Sequence, residues 1–188
     1  MIEAPIRIVN REVLDAPRLA ARANRPVRVF ALALLALPVQ GFDLEGHRGA
    51  RGLAPENTLA VFRRALAIGV STLETDLAVT KDGVLVISHD PFLNPDVVRM
   101  PDGWWLLQKG PAIHTLTRDE LKRYDIGRLD PGSKYAAQFP AQQRADAERF
   151  PTLAELVDLV KDAGVDGLIT DYPDRLRRVM ADKGMPLP

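Results

Sequence analysis

The sequence predicts an α/β fold, and three observations carry that expectation. A strand closed by glycine runs into a helix and then into two further strands between residues 42 and 88. A capped helix, an apolar strand and a basic amphipathic helix follow in that order between residues 152 and 183. The length of 188 residues suffices for one domain with a sizeable core. Alternation of the two hydrophobic periods along one chain is the mark of a mixed helix-and-sheet architecture.

Composition narrows the function classes. Lys plus Arg number 25 and Asp plus Glu number 25, so no overall field draws nucleic acid or an anionic membrane to the molecule. The absence of cysteine excludes thiol catalysis, disulfides and cysteine-ligated zinc.

Residues 1 to 28 carry Arg11, Arg18, Arg22, Arg25 and Arg28 without a clear hydrophobic period. Val29 to Leu37 is then an unbroken apolar run, ended by Pro38, with Val39 and Gly41 ahead of Phe42. A basic lead, a short apolar stretch and small residues fit a secretory leader over 1–41, cleaved after Gly41, and so a periplasmic or secreted protein. The run is too short to span a bilayer. A buried strand or helix of the fold is the competing reading.

Phe42 to Gly46 reads as a short strand closed by the loop Gly46-His47-Arg48-Gly49-Ala50-Arg51-Gly52. A helix then runs to about Ile68, started by Pro55 and by Asn57 or Thr58, with Leu59, Phe62, Ala65 and Leu66 on one face and Gly69 as its stop. Ser71 to Val79 alternates as a strand, which places Glu74, Asp76 and Ala78 on one face and Leu73, Thr75 and Leu77 on the other. Lys81-Asp82-Gly83 turns the chain into a strand over Val84 to Ser88, and His89-Asp90-Pro91 follows.

Residues 92 to 150 are irregular apart from a short helix at Thr117 to Tyr124, and they read as an insertion over a site. Trp104 and Trp105, beside a Pro-Asp-Gly turn, are expected to pack a small local core. Thr152 caps the helix LAELVDLVKDA, Val165 to Thr170 is a buried strand, and Asp174 to Lys183 is the last helix.

The chemistry concentrates in His47, Glu74, Asp76 and His89. Two carboxylates two residues apart on a strand sit roughly 6.5 Å apart along it and can reach one hard cation. Two acids on an exposed strand face are also common without any metal. Histidines at two strand-to-loop junctions add a proton donor and acceptor beside that cation, the set needed for metal-assisted hydrolysis. Arg48 and the neighbouring glycines offer a guanidinium and amides to a phosphate, though an ordinary tight turn explains them as well. His114 has no acidic context and reads as a surface or packing residue.

The phrases HRGARGLAPENT, LETD and ISHDP, at these spacings, resemble the glycerophosphodiester phosphodiesterase family, and TLTRDELKRYDIGR, FPTLAELVDLV and GVDGLITDYPDRL are similar to its later segments. The order of motifs resembles secreted bacterial members. The resemblance implies a TIM-barrel enzyme that hydrolyses glycerophosphodiesters to glycerol 3-phosphate and an alcohol with a divalent cation, Ca2+ or Mg2+. It implies His47 and His89 as general acid and base, Glu74 and Asp76 as metal ligands and Arg48 as a phosphate contact.

The resemblance is incomplete. The family's strand reading like EIK, which brings a further metal-binding glutamate and a lysine, has no counterpart, and the helix LAELVDLV runs directly into the segment that resembles the last barrel strand. A domain over 42–188, shortened near 161–164, falls well below the about 250 residues of a full barrel. The expectation is a partial, unclosed barrel whose exposed sheet edges invite self-association. It acts either as a phosphodiesterase or as a silent remnant that retains some metal or ligand binding. Neither nucleic acid nor a membrane span is expected.

Overall fold

The computed structural model describes residues 3–9, 44–70, 72–161, 163, 167–169 and 173–185. In chain order the elements are strand β1 (Glu3–Val9), strand β2 (Glu45–Gly46), helix α1 (Leu59–Ile68), strand β3 (Thr72–Val79) and strand β4 (Leu85–Ile87). A short helix α2 (Arg118–Leu121), helix α3 (Leu153–Lys161), strand β5 (Gly167–Ile169) and helix α4 (Pro173–Asp182) complete them. The apolar run Val29 to Leu37 lies outside the described residues.

Strand β3 is the hub of the sheet. It pairs parallel with β2 through Glu45↔Thr72 and Gly46↔Leu73, and antiparallel with β4 through Leu77↔Ile87 and Ala78↔Val86. Strand β1 lies between β3 and β5, antiparallel to both, with Val9 opposite Thr72 on one side and Gly167 on the other. β3 and β5 therefore run parallel to each other. Among the described residues the five strands form an open sheet rather than a closed cylinder, a partial barrel of the expected α/β type. β1 was not expected and falls within the stretch read as a leader: its alternation is short, and only pairing with two other strands makes it an element.

The two faces of β3 and β4 bury two separate cores. Leu73, Leu77 and Ile87 pack with Val61, Phe62 and Ala65 of α1 and with Leu153, Leu156, Val157 and Val160 of α3. Ala78 and Val86 point the other way and pack with Leu93, Val98, Ile113, Leu121, Ile126 and Phe150. Residues 92–150 thus cover the face of β3 that carries Glu74 and Asp76. At roughly 1.5–3 kcal/mol for each large apolar side chain fully buried, each cluster is a real source of stability.

Local signals set the helix ends. Thr58 is the N-cap of α1, its Oγ1 accepting from Val61 N at 3.1 Å, and Gly69 closes that helix in the left-handed region at φ 85°. Asn57 is not the cap: it is buried with φ 58°, and its Oδ1 accepts from Thr75 Oγ1 at 2.9 Å, tying the loop to β3. Thr117 with Glu120 forms a capping box at α2, and Thr152 with Glu155 does the same at α3.

The tryptophans depart from expectation. The turn through Pro101, Asp102 and Gly103 turns Trp104 outward, where 73% of it is exposed, with its backbone N–H bound to Asp102. Trp105 is half-buried, and the Arg99 guanidinium sits 5.8 Å from its ring centroid. His114 is exposed, as its sequence context suggested.

Candidate active site

The loop after β2 is bent by geometry that only glycine tolerates. A Cβ on Gly46 would lie 2.1 Å from the Gly49 carbonyl oxygen, and Gly49 itself has φ 88°. This fold-back lets Gly49 N donate to Glu74 O at 3.2 Å, so the loop is tied to the middle of β3. Arg48 is held at φ 50°, a conformation costly for a side chain with a Cβ.

The strained turn brings Arg48 onto the carboxylates. Its backbone N–H donates to Glu74 Oε2 at 2.8 Å, its Nη1 donates to Glu56 Oε1 at 2.8 Å, and its Nε lies 3.8 Å from Asp76 Oδ2. His47 Nε2 is 3.8 Å from Glu74 Oε2. His89 follows β4, and its Nδ1 lies 3.2 Å from Asp90 Oδ1. A carboxylate only accepts, so Nδ1 carries the hydrogen in the neutral ring and Nε2 keeps the lone pair. Asp90 is held in turn by Asn94 Nδ2 at 2.6 Å.

Asp76 sits in a setting that disfavours its charge. Burial, then the neighbouring Glu74, pushes its carboxyl above the usual range, while His89 and Arg48 pull it back. Its Oδ2 and the Nε of Arg48 are both buried with no hydrogen-bond partner in the structure. A buried acceptor left without a partner costs about 1–3 kcal/mol. Two neighbouring carboxylates, one of them with an unsatisfied oxygen, are the donor type that a hard divalent cation prefers. The donor set therefore fits such an ion, although among the described residues no three His, Cys, Asp or Glu side chains converge as a ready-made cage.

The structure thus brings His47, Arg48, Glu74, Asp76 and His89 together beside the middle of β3. It adds groups that sequence reasoning missed. Glu56, 8% exposed, bridges Arg48 and the hydroxyl of Tyr135, which donates to its Oε2. Burial and then Glu56 push the Tyr135 phenol up to about 12. Glu56 lies inside the motif phrase HRGARGLAPENT, where an acid next to a buried asparagine was a usable signal. Tyr135, 79 positions away, had none.

A cleft of about 200 Å3 opens over Arg48, Glu56, His89 and Tyr135. A larger apolar cavity of about 450 Å3 lies elsewhere, between the β3–β4 turn, the start of α3 and α4, and it contains none of the candidate residues. Of these two, only the smaller is lined by a guanidinium, an imidazole and carboxylates, those of Glu56, Asp90 and Asp96, while His47, Glu74 and Asp76 lie outside its lining.

Fold and site together define a class: an open α/β barrel segment with a carboxylate pair, a buried arginine and two histidines beside the middle of β3. The family model "Glycerophosphoryl diester phosphodiesterase family" matches residues 47–162, and the chain belongs to this family. It is 34% identical over 116 residues to a glycerophosphodiester phosphodiesterase of Caldanaerobacter subterraneus subsp. tengcongensis, covering 62% of this chain and 39% of that one. It is 33% identical over 114 residues to the Bacillus subtilis (strain 168) enzyme of that name, covering 60% and 34%. The crystal structure of a protein assigned as a glycerophosphoryl diester phosphodiesterase from Silicibacter pomeroyi DSS-3 superposes with TM-score 0.61 at 39% identity. That superposition covers 64% of this chain and 41% of the other. The chain therefore spans well under half the length of these relatives. Among its described residues no helix is long and apolar enough to cross a membrane.

Proposed function

We propose that the chain hydrolyses glycerophosphodiesters to glycerol 3-phosphate and an alcohol, with Ca2+ or Mg2+ held by Glu74 and Asp76. The observation that carries this reading is the buried, unpartnered pair of atoms Arg48 Nε and Asp76 Oδ2, 3.8 Å apart at the centre of the site. A bound divalent cation supplies Lewis acidity toward a phosphoryl oxygen. Arg48 offers its free Nε–H to the phosphate, with Glu56 and Tyr135 holding the rest of the guanidinium in place. His89, with Asp90 fixing its tautomer, takes or gives a proton at Nε2, and His47 serves as the second proton carrier from the other side of the carboxylates.

A catalytically silent chain that keeps part of the metal or ligand binding is the second reading, supported by the 39% and 34% of the relatives' lengths that the chain spans. Hydrolysis of glycerophosphocholine by the full chain with calcium or magnesium separates the two. Turnover that stops on chelation and in His47→Ala supports the hydrolase. A folded, metal-loaded sample that releases no glycerol 3-phosphate leaves the binding reading. In either case calcium should raise the Tm of the wild type and not that of Glu74→Ala/Asp76→Ala; an equal rise in both would remove these residues from the metal site.

The basic lead and apolar run of residues 1–41 support an export leader and a periplasmic or secreted location, and cleavage after Gly41 would then take β1 out of the sheet. N-terminal sequencing of the mature protein tests it, and an intact Met1 would sink it. The open sheet supports self-association, which sedimentation velocity reads directly.

A further inference from the structure

Trp104 and Leu107 stand out of the surface although nothing in the fold requires them there. Their neighbours already serve the interior: Leu106 packs against the second core, and Trp105 is half-buried beside Arg99. Trp104 and Leu107 turn the other way, 73% and 99% exposed. A hydrogen-bonded frame holds them out. Met100 N donates to Trp104 O at 2.8 Å and Gly103 N to Met100 O at 2.9 Å, while Arg99 and Asp125 exchange backbone bonds of 2.8 and 3.0 Å on the other side. Gly110 N, bound to Leu93 O at 2.9 Å, pins the far end of the segment. Two apolar tips on one braced segment, rimmed by polar groups, mark a binding surface rather than a scattered exposed residue.

The unpaired charges around the tips are positive. The Lys109 ammonium rests 3.7 Å from the centroid of the Phe92 ring and forms no ion pair among the described residues. The antiparallel Arg99–Asp125 pairing carries Arg123, exposed and also in no ion pair, to the same end as the turn through Asp102. The Asp102 carboxylate is turned back onto the Trp104 N–H at 3.1 Å, and Asp119 is paired with Lys122 at 3.2 Å.

We propose that this segment docks on a lipid bilayer, with Trp104 and Leu107 entering the interface and Lys109 and Arg123 meeting lipid phosphates. A standard protein interface takes about 800 Å2 from each partner, more than two protruding side chains supply, so a second copy or another protein is the poorer fit. A bilayer needs no complementary shape: an indole settles at the headgroup level and a leucine reaches the acyl chains. Lys plus Arg balance Asp plus Glu at 25 each, so no long-range field brings the chain to the surface and contact depends on these side chains. Docking of this kind does not depend on turnover beside β3.

Trp104 and Trp105 are the two tryptophans of the chain, so Trp105→Phe leaves Trp104 as the single indole reporter. The full chain carrying that change is mixed with vesicles of phosphatidylcholine and phosphatidylglycerol. Trp104 emission should shift to the blue and be quenched by lipids brominated on the acyl chain. In co-sedimentation, Trp104→Ser with Leu107→Ser in the otherwise native chain should weaken partitioning about tenfold or more, the size expected when large apolar side chains no longer leave water, with Tm unchanged. Lys109→Gln should weaken it about fivefold, and only where phosphatidylglycerol is present. Absence of sedimentation, sedimentation that the double variant leaves intact, or no quenching by brominated lipid overturns the proposal. A blue shift that appears on raising the protein concentration without vesicles also overturns it, by making a second copy the occupant.

Discussion

The two cores on either side of β3 are built in different ways. The first, under α1 and α3, is made of regular elements whose periods are readable, with Thr58, Gly69 and Thr152 marking their ends. The second, under residues 92–150, contains one four-residue helix, and loops supply most of its buried side chains. These loops reach the motif loop through a handful of polar ties: Gln143 N to Leu53 O, Gln142 Nε2 to Arg51 O, Leu59 N to Glu148 Oε2 and Tyr135 to Glu56. Regular elements fix where the candidate site residues stand, and the irregular cover brings further groups to the cleft from outside. The two cores share β3, so a defect in either is felt along the same strand.

The harshest way to break this arrangement is Gly46→Ala. The new Cβ would meet backbone, the Gly49 carbonyl carbon and oxygen, rather than a yielding side chain. A cost of several kcal/mol is expected, and circular dichroism should show loss of the cooperative transition. A sample melting within a few degrees of the wild type would show that the loop can be rebuilt.

A paired truncation sharpens the comparison. Leu156→Ala and Leu121→Ala each remove a fully buried leucine, one from each core, at an expected cost of about 3 kcal/mol. Hydrogen exchange should separate them. Leu121→Ala should accelerate amides between 92 and 150 and leave α1 and α3 protected, whereas Leu156→Ala should release α1, α3 and β3 together. Identical exchange patterns would mean a single cooperative core.

Tyr135→Phe gives the smallest effect. It removes one hydrogen bond to the buried Glu56 and should cost about 1–2 kcal/mol at neutral pH, measured by urea unfolding. The folded-state pKa of Tyr135, about 12, lies above the ordinary value of 10.0, so the fold favours the neutral phenol. Its contribution is complete below pH 10 and disappears as pH rises through about 12. Wild-type stability should therefore fall over that window more steeply than that of Tyr135→Phe; parallel profiles would detach the phenol from the fold.

Much of the first core and of the placement of the candidate site residues could be read from the chain because their causes are local. Glu74 and Asp76 share a face through the two-residue period of a strand, and His47 and His89 follow strands closed by glycine or by Asp-Pro. The sequence left Asn57 and Thr58 as alternative caps because Asn and Thr both suit that place, and the Val61 N–H bond to Thr58 together with the Asn57 contact to Thr75 decides between them. Trp104 was expected inside because aromatic area usually is, but the turn before it fixes its direction. Tyr135 and β1 owe their roles to partners far away in sequence, which no window of residues contains.

The central place of β1 also bears on how the molecule comes into being on the ribosome. It is made first, yet neither of its neighbours exists until Thr72–Val79 and then Gly167–Ile169 have been synthesised. Contacts of such long sequence separation form late, because loop closure must precede them. The edge of β1 that faces β5 is therefore unclaimed for most of translation, and a nascent chain held in that state is a natural client for a chaperone that recognises open strand edges.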